Sequence, residues 1–308
     1  MSDSATLARP LRFVEKVRIV SACALAIALF VSVGWTAVAP TDPHAPTTFL
    51  VDARAWPQAV GSILAVAAVT SALGTLVGGP AFGHVGVLAT AVGLAVMSTR
   101  GGTMTQALIY HGALPADRKQ LAPTLIADAG LWAIALMAAW LVAAMVARWI
   151  EGQTAQAVDE NRAPVLASTR DGLLGMVVAA AIAWIIISAT IARTSASPVE
   201  RGQVFFAVFL GFFAGTLAAR YLWPKGAAPW YAGSVLLVAG IGYAWGYVSP
   251  QPSGGIATYY AALPMIPPNA LFRPLPVEYV AVGVVGVLIG HRLAQQMHHA
   301  RKTARENA

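Results

Sequence analysis

The sequence predicts an all-α integral membrane protein, a polytopic bundle of about eight transmembrane helices. Three observations carry that reading. Of the 308 residues, 57% are hydrophobic and only 11% charged, under half the roughly 25% charge of an ordinary soluble domain. The mean hydropathy is +0.66, and the apolar residues gather in long blocks divided by short polar connectors. Runs such as Ala179-Ala180-Ala181-Ile182-Ala183-Trp184-Ile185-Ile186-Ile187 do not alternate in polarity, as the strands of a membrane barrel must. Within hydrocarbon every backbone N–H and C=O has to be paired inside its own element, which makes each block a helix.

The blocks fall at about 17–39, 58–78, 80–98, 124–149, 172–192, 203–223, 229–249 and 277–297. Arg9, Arg12, Lys16 and Arg18 precede the first, which ends in Ala37-Val38-Ala39 like a cleavable signal. Its length exceeds a signal core and suffices to cross about 30 Å of hydrocarbon, so it reads as a retained span. Gly78-Gly79-Pro80 joins the second and third blocks as a tight helical hairpin. Thr103 to His111 reads as a short interfacial helix, with Thr103 and Gln106 at its start and Met104, Ala107 and Leu108 on one face. Pro123 stands just before the fourth block. The stretch 250–276 holds seven prolines and reads as an ordered, non-helical outer cover. Residues 298–308 form a basic tail. The whole chain, 1–308, reads as one integral membrane domain whose two halves echo each other in connector lengths, without a residue-level match.

Orientation comes from Lys and Arg. With both termini inside, thirteen of the twenty basic residues fall on inner segments and seven on outer ones, which favours cytoplasmic termini, in a bacterial inner membrane. Trp35, Tyr247 and Tyr279 at outer ends, and Trp149, Tyr221, Trp223, Trp230 and Tyr231 at inner ones, read as an interfacial aromatic belt. The net charge of +7 is part of this topology signal, not a mark of nucleic-acid binding. Cys23, the single cysteine, lies in the first block and reads as packing.

Candidate functional residues are few. His84 and His291 lie near the inner ends of the third and eighth spans, at one depth. Neighbouring imidazoles there would suit a haem or a metal, although a hydrogen-bonded or snorkelling histidine is the expected role. Asp128 and Glu278 lie within about a turn of outer helix ends, where water would reach them and an acidic side chain complements the helix dipole. These four are the candidate polar lining of any solute path. His291, His298 and His299 are spaced too widely around a helix to chelate. Together with Arg292, Arg301, Lys302 and Arg305 they suit anionic lipid headgroups. Small-residue pairs four apart, Gly79/Gly83, Gly211/Gly215, Gly242/Gly246 and Gly286/Gly290, form faces for close helix packing. Such faces serve the bundle itself, a second copy or a membrane partner.

The sequence has no GxSxG, HExxH or P-loop motif and no GxGxxG following a strand. The reading is therefore a non-enzymatic scaffold, assembly or accessory subunit without a cofactor or metal, acting through helix faces and the outer loop. The alternative is a transporter or channel for a small, weakly polar solute, followed by a haem-binding protein or membrane enzyme. Reporter fusions within Ala155–Val165 and at either terminus are expected to read cytoplasmic, and fusions within 251–266 to read external. The opposite pattern would invert the topology.

Overall fold

A computed structural model describes residues 12–42, 44–51, 55–79, 84–154, 169–191, 200–223, 226–250 and 267–306. The helices are α1 (Phe13–Val38), α2 (Trp56–Gly78), α3 (Val85–Ser98), α4 (Met104–His111), α5 (Pro115–Thr154), α6 (Thr169–Thr190), α7 (Arg201–Leu222), α8 (Ala228–Val248) and α9 (Pro276–Glu306). A 3-10 turn, Ala270–Phe272, precedes α9. Seven of the helices, all but α3 and α4, are long and apolar enough to cross a membrane. The chain is an integral membrane protein with an all-α polytopic bundle. The helices alternate in direction, so α1 begins and α9 ends at one face, here termed proximal. The opposite face is distal.

Helix α9 is the axis. Its apolar stretch is 78% buried, against 22–44% in the other long helices, and it packs on α7, α3, α8 and α5. Lipid tails are as apolar as leucine, so the association of such helices rests on close contact and internal polar bonds. Glycine supplies the contact. A Cβ on Gly286 would lie 2.6 Å from the Phe209 carbonyl oxygen, and one on Gly290 2.5 Å from that of Phe213, both on α7. Gly215 of α7 stands in the same relation to the Ala179 carbonyl of α6. Gly211 lies against Ala183 and Ile187, Gly242 against Leu271, and Gly246 against the Phe272 ring. The chain's own elements therefore occupy these small-residue faces. Gly79 serves a different purpose: its φ of +67° turns the chain out of α2, a conformation glycine adopts without a steric penalty. Gly83 lies outside the described residues.

Three helices depart from the hydropathy blocks. The block 80–98 contains a helix of only fourteen residues, α3, about 21 Å long at 1.5 Å per residue. It is buried on nearly every side between α1, α2 and α9, so its apolar character reflects protein neighbours more than lipid. Helix α5 starts eight residues before Pro123 and passes through it. The Asp117 carboxyl accepts the Leu114 amide at its start (3.1 Å), which lets the helix begin well ahead of the apolar run. Helix α9 continues through the segment read as a tail. There His298 stacks on Tyr221 and the Arg301 guanidinium lies 4.8 Å from the Tyr221 ring.

The expected α4 is present, with Thr103 and Gln106 forming a capping box and Met104, Ala107 and Leu108 buried. In α1 the winding loosens to a π-turn at Phe30–Gly34. Two belt aromatics are instead core residues: Tyr231 and Tyr279 are fully buried, their hydroxyls donating to Trp223 O (3.2 Å) and Leu271 O (2.8 Å). Trp149 and Tyr247 are exposed. The expected cover at 251–266 lies outside the described residues.

Gly215→Ala is expected to destabilise the folded bundle by about 1–3 kcal/mol, since backbone stands where its methyl would go. Gly61→Ala meets nothing within 4 Å and is expected to gain up to about 1 kcal/mol from helix propensity. Denaturant unfolding in detergent, followed by circular dichroism, separates the two.

Candidate functional site

The four candidate residues do not line one chamber. Asp128 and Glu278 lie towards the distal end, on α5 and at the start of α9. His84 and His291 lie towards the proximal end, at the start of α3 and late in α9.

Asp128 has no exposed surface, contrary to the water contact expected from its place near a helix end. Its Oδ1 accepts the amides of Phe49 (2.7 Å) and Leu50 (3.2 Å), and its Oδ2 accepts Trp132 Nε1 (3.0 Å). Phe49 stacks on Trp132 with ring centroids 4.0 Å apart. The connector after α1 thus folds down over α5, and one carboxyl satisfies the amides it carries inside. Glu278 is also buried. Its Oε2 accepts the Leu275 amide at 2.9 Å, capping α9, and its Oε1 pairs with Arg201 Nε at 3.0 Å. Arg201, the first residue of α7, donates further to the carbonyls of Thr99 (2.7 Å) and Gly102. One ion pair thereby joins the starts of α7 and α9 to the turn between α3 and α4.

Other side chains at this face work in the same manner, and sequence reasoning assigned them no such role. Arg118 is buried and donates to Gly112 O (2.8 Å) and Pro250 O (3.1 Å). Tyr243 donates to Pro274 O at 2.7 Å. Asn269 accepts the Phe272 amide (3.0 Å) and donates to Gly242 O (3.2 Å). Arg100 donates to Val31 O of the π-turn at 2.7 Å. All but one of these bonds end on backbone carbonyls, of connectors or of helices, acceptors invisible to a search for paired polar side chains.

A small cavity opens within this framework. Thr103, Thr105, Arg201, Arg273 and Glu278 form its polar wall, with Met104, Leu108 and Val204 beside them. It has about 20 Å³ of room for water centres, on the scale of one or two waters. Arg273, from the connector before α9, is 6% exposed, and its burial draws the guanidinium below the usual arginine range.

At the proximal end the histidines are neighbours, as their shared depth allowed. Their ring centroids are 6.5 Å apart, with Trp140 5.2 Å from His84 and Tyr231 5.8 Å from His291. His291 Nε2 lies 3.2 Å from Gln295 Nε2, while its Nδ1 is buried without a hydrogen-bond partner. Aromatic rings thus flank both imidazoles. Among the described residues no group of three or more His, Cys, Asp or Glu side chains is placed to hold a metal ion.

Removing the Asp128 carboxyl strands buried N–H donors, at about 1–3 kcal/mol for each group left unpaired. Asp128→Ala is therefore expected to lower stability by at least about 2 kcal/mol and to shift Trp132 emission, readable by fluorescence-detected unfolding. Arg201→Met leaves Glu278 buried without its counter-charge, with an expected loss of about 3 kcal/mol. The double variant Arg201→Met/Glu278→Gln should recover part of that loss, and a double-mutant cycle measures the coupling.

Comparison of the chain with models of known protein families, with curated proteins and with solved structures finds no match, so its function has to be argued from this geometry alone.

Proposed function

We propose that the chain is a non-enzymatic scaffold or accessory subunit that presents its distal face, held rigid, to a membrane-protein partner. The observation that carries this reading is the use made of the buried and half-buried polar side chains at that face. Asp128, Arg118, Arg201, Tyr243, Asn269 and Glu278 all bond to connector backbone or to one another. Ordering a connector costs roughly 1–2 kcal/mol of backbone entropy per residue. A bundle with no use for a fixed face has little reason to hold its loops so tightly. Exposed apolar side chains lie beside these connectors, among them Ile109, Tyr110 and Leu114 around α4 and Tyr247 and Val248 at the end of α8. A docking partner would cover side chains of this kind.

The small-residue faces named from sequence are not part of the proposal, because α6, α7 and the 3-10 turn already fill those at Gly211/Gly215, Gly286/Gly290 and Gly242/Gly246. The basic bias of the proximal segments supports cytoplasmic termini, which places the docking face outside. Carriage of a small solute is the second reading, and the distal cavity favours it.

A photoreactive phenylalanine at Leu114 or Val248 is expected to give one cross-linked adduct of constant mass in native membranes. The same group at Leu141 or Met145, exposed on the middle of α5, is expected to give none. In Asp128→Ala, with helicity retained, the distal adduct should fall several-fold. Equal labelling from all four positions would defeat the proposal.

A further inference from the structure

We propose that the distal cavity is a binding site for a compact oxyanion, held by the Arg273 guanidinium and the first turn of α4. The charge balance of its walls points there. Arg201 is already committed, to Glu278 and to two backbone carbonyls. Both Glu278 oxygens are taken, one by Arg201 and one by the Leu275 amide, which leaves no free carboxylate to attract a cation. Arg273 differs from its neighbours. Arg273 is 6% exposed and lines the cavity, yet among the described residues its guanidinium has neither a hydrogen bond nor an ion pair. Arg118 and Arg201, at the same face, both bond to backbone carbonyls.

The backbone holds Arg273 in place. Its own amide donates to Ala270 O (3.2 Å), the preceding Phe272 is fully buried, and the carbonyl of the following Pro274 accepts Tyr243. A guanidinium on a largely buried residue with no counter-charge is costly, and an anion arriving from outside lowers that cost.

The opposite wall is complementary. Thr103, Met104 and Thr105 form the start of α4 and border the cavity. The first N–H groups of a helix have no partner within it and lie at the positive end of its dipole. Gln106 satisfies the Thr103 amide at 2.6 Å, leaving the amides of Met104 and Thr105 and the Thr105 hydroxyl as donors. A guanidinium fork and a helix start suit an anion with several oxygens. The water-scale room restricts the ligand to a compact oxyanion that seats its oxygens against these donors, and excludes larger organic molecules from full entry. The phosphate could arrive as the free ion or as a lipid headgroup, since the cavity lies at the distal ends of the helices.

The test uses the full chain in neutral detergent, its thermal unfolding followed against inorganic phosphate at constant ionic strength. The unfolding temperature is expected to rise saturably with phosphate. Arg273→Gln should weaken the apparent affinity about tenfold or more, with Arg273→Lys between the two, since it keeps the charge and loses the fork. Arg273→Met should unfold at a higher temperature than the native chain in phosphate-free buffer, because it removes a charge without a counter-ion from a largely buried position, and should not respond to phosphate. Thr105→Val, which leaves the arginine in place, should weaken binding less.

Native mass spectrometry after reconstitution with phosphatidylglycerol supplies the second arm. An adduct kept by the native chain and lost in Arg273→Gln assigns the site to a lipid headgroup. A phosphate response that depends on Arg273, without such an adduct, assigns it to the free ion. If phosphate response and lipid adduct are both unchanged in folded Arg273→Gln and Arg273→Met, the proposal is overturned.

Discussion

A polar group carried into an apolar interior has to find its partner within the chain, and the distal half of this protein is built around that requirement. Connectors between helices normally stay in water, where their amides and carbonyls are satisfied without help. Here the segment 44–51, the turn at 99–103 and the stretch 267–275 fold inward over the helix ends. Each brings backbone groups that need acceptors or donors. Asp128, the Arg201–Glu278 pair and the hydroxyls of Tyr243 and Tyr279 meet that need. The buried carboxylates of Asp128 and Glu278 thus each help to fix a connector over the helix ends.

The remainder of the bundle is held by proximity of backbones. Glycine at 215, 286 and 290 lets α6, α7 and α9 approach until carbonyl oxygens stand where side chains would be. Dispersion acts only over contact distances, so such approaches are worth most where lipid competes for every apolar surface. The two modes divide the molecule. Contact through small residues joins the long helices at mid-depth, and hydrogen bonds to the backbone join their distal ends to the connectors.

Much of the fold was legible in the sequence because a hydrocarbon environment leaves few options. Long uncharged blocks must be helices, and their limits are the limits of apolar composition. Where composition misled, the cause was local. Residues 80–98 are as apolar as a span, but α3 is short and enclosed by protein, and hydropathy does not distinguish lipid from a protein interior. Pro123 looked like a boundary, whereas a capped start at Pro115 carries α5 across it. Tyr231 and Tyr279 have the composition of belt residues, and only their carbonyl partners show them to be core. The site was less legible still. The common depth of His84 and His291 could be counted along the helices, but their contact depends on α3 lying beside α9. Arg118 and Arg273 sit in segments whose course no periodicity fixes. Their burial follows from how the connectors fold, and in one sequence nothing marks that.

The central position of α9 bears on how the molecule is made. A chain inserted into a membrane as it is synthesised presents its helices in order, and α9 follows all the others described. Until it arrives, α7, α3, α8 and α5 have no common core, and the Phe209 and Phe213 carbonyls that Gly286 and Gly290 will meet face an open groove. The earlier helices must wait, part-assembled, for the member that joins them. Closure thus waits on α9, and damage within that helix would reach the whole architecture.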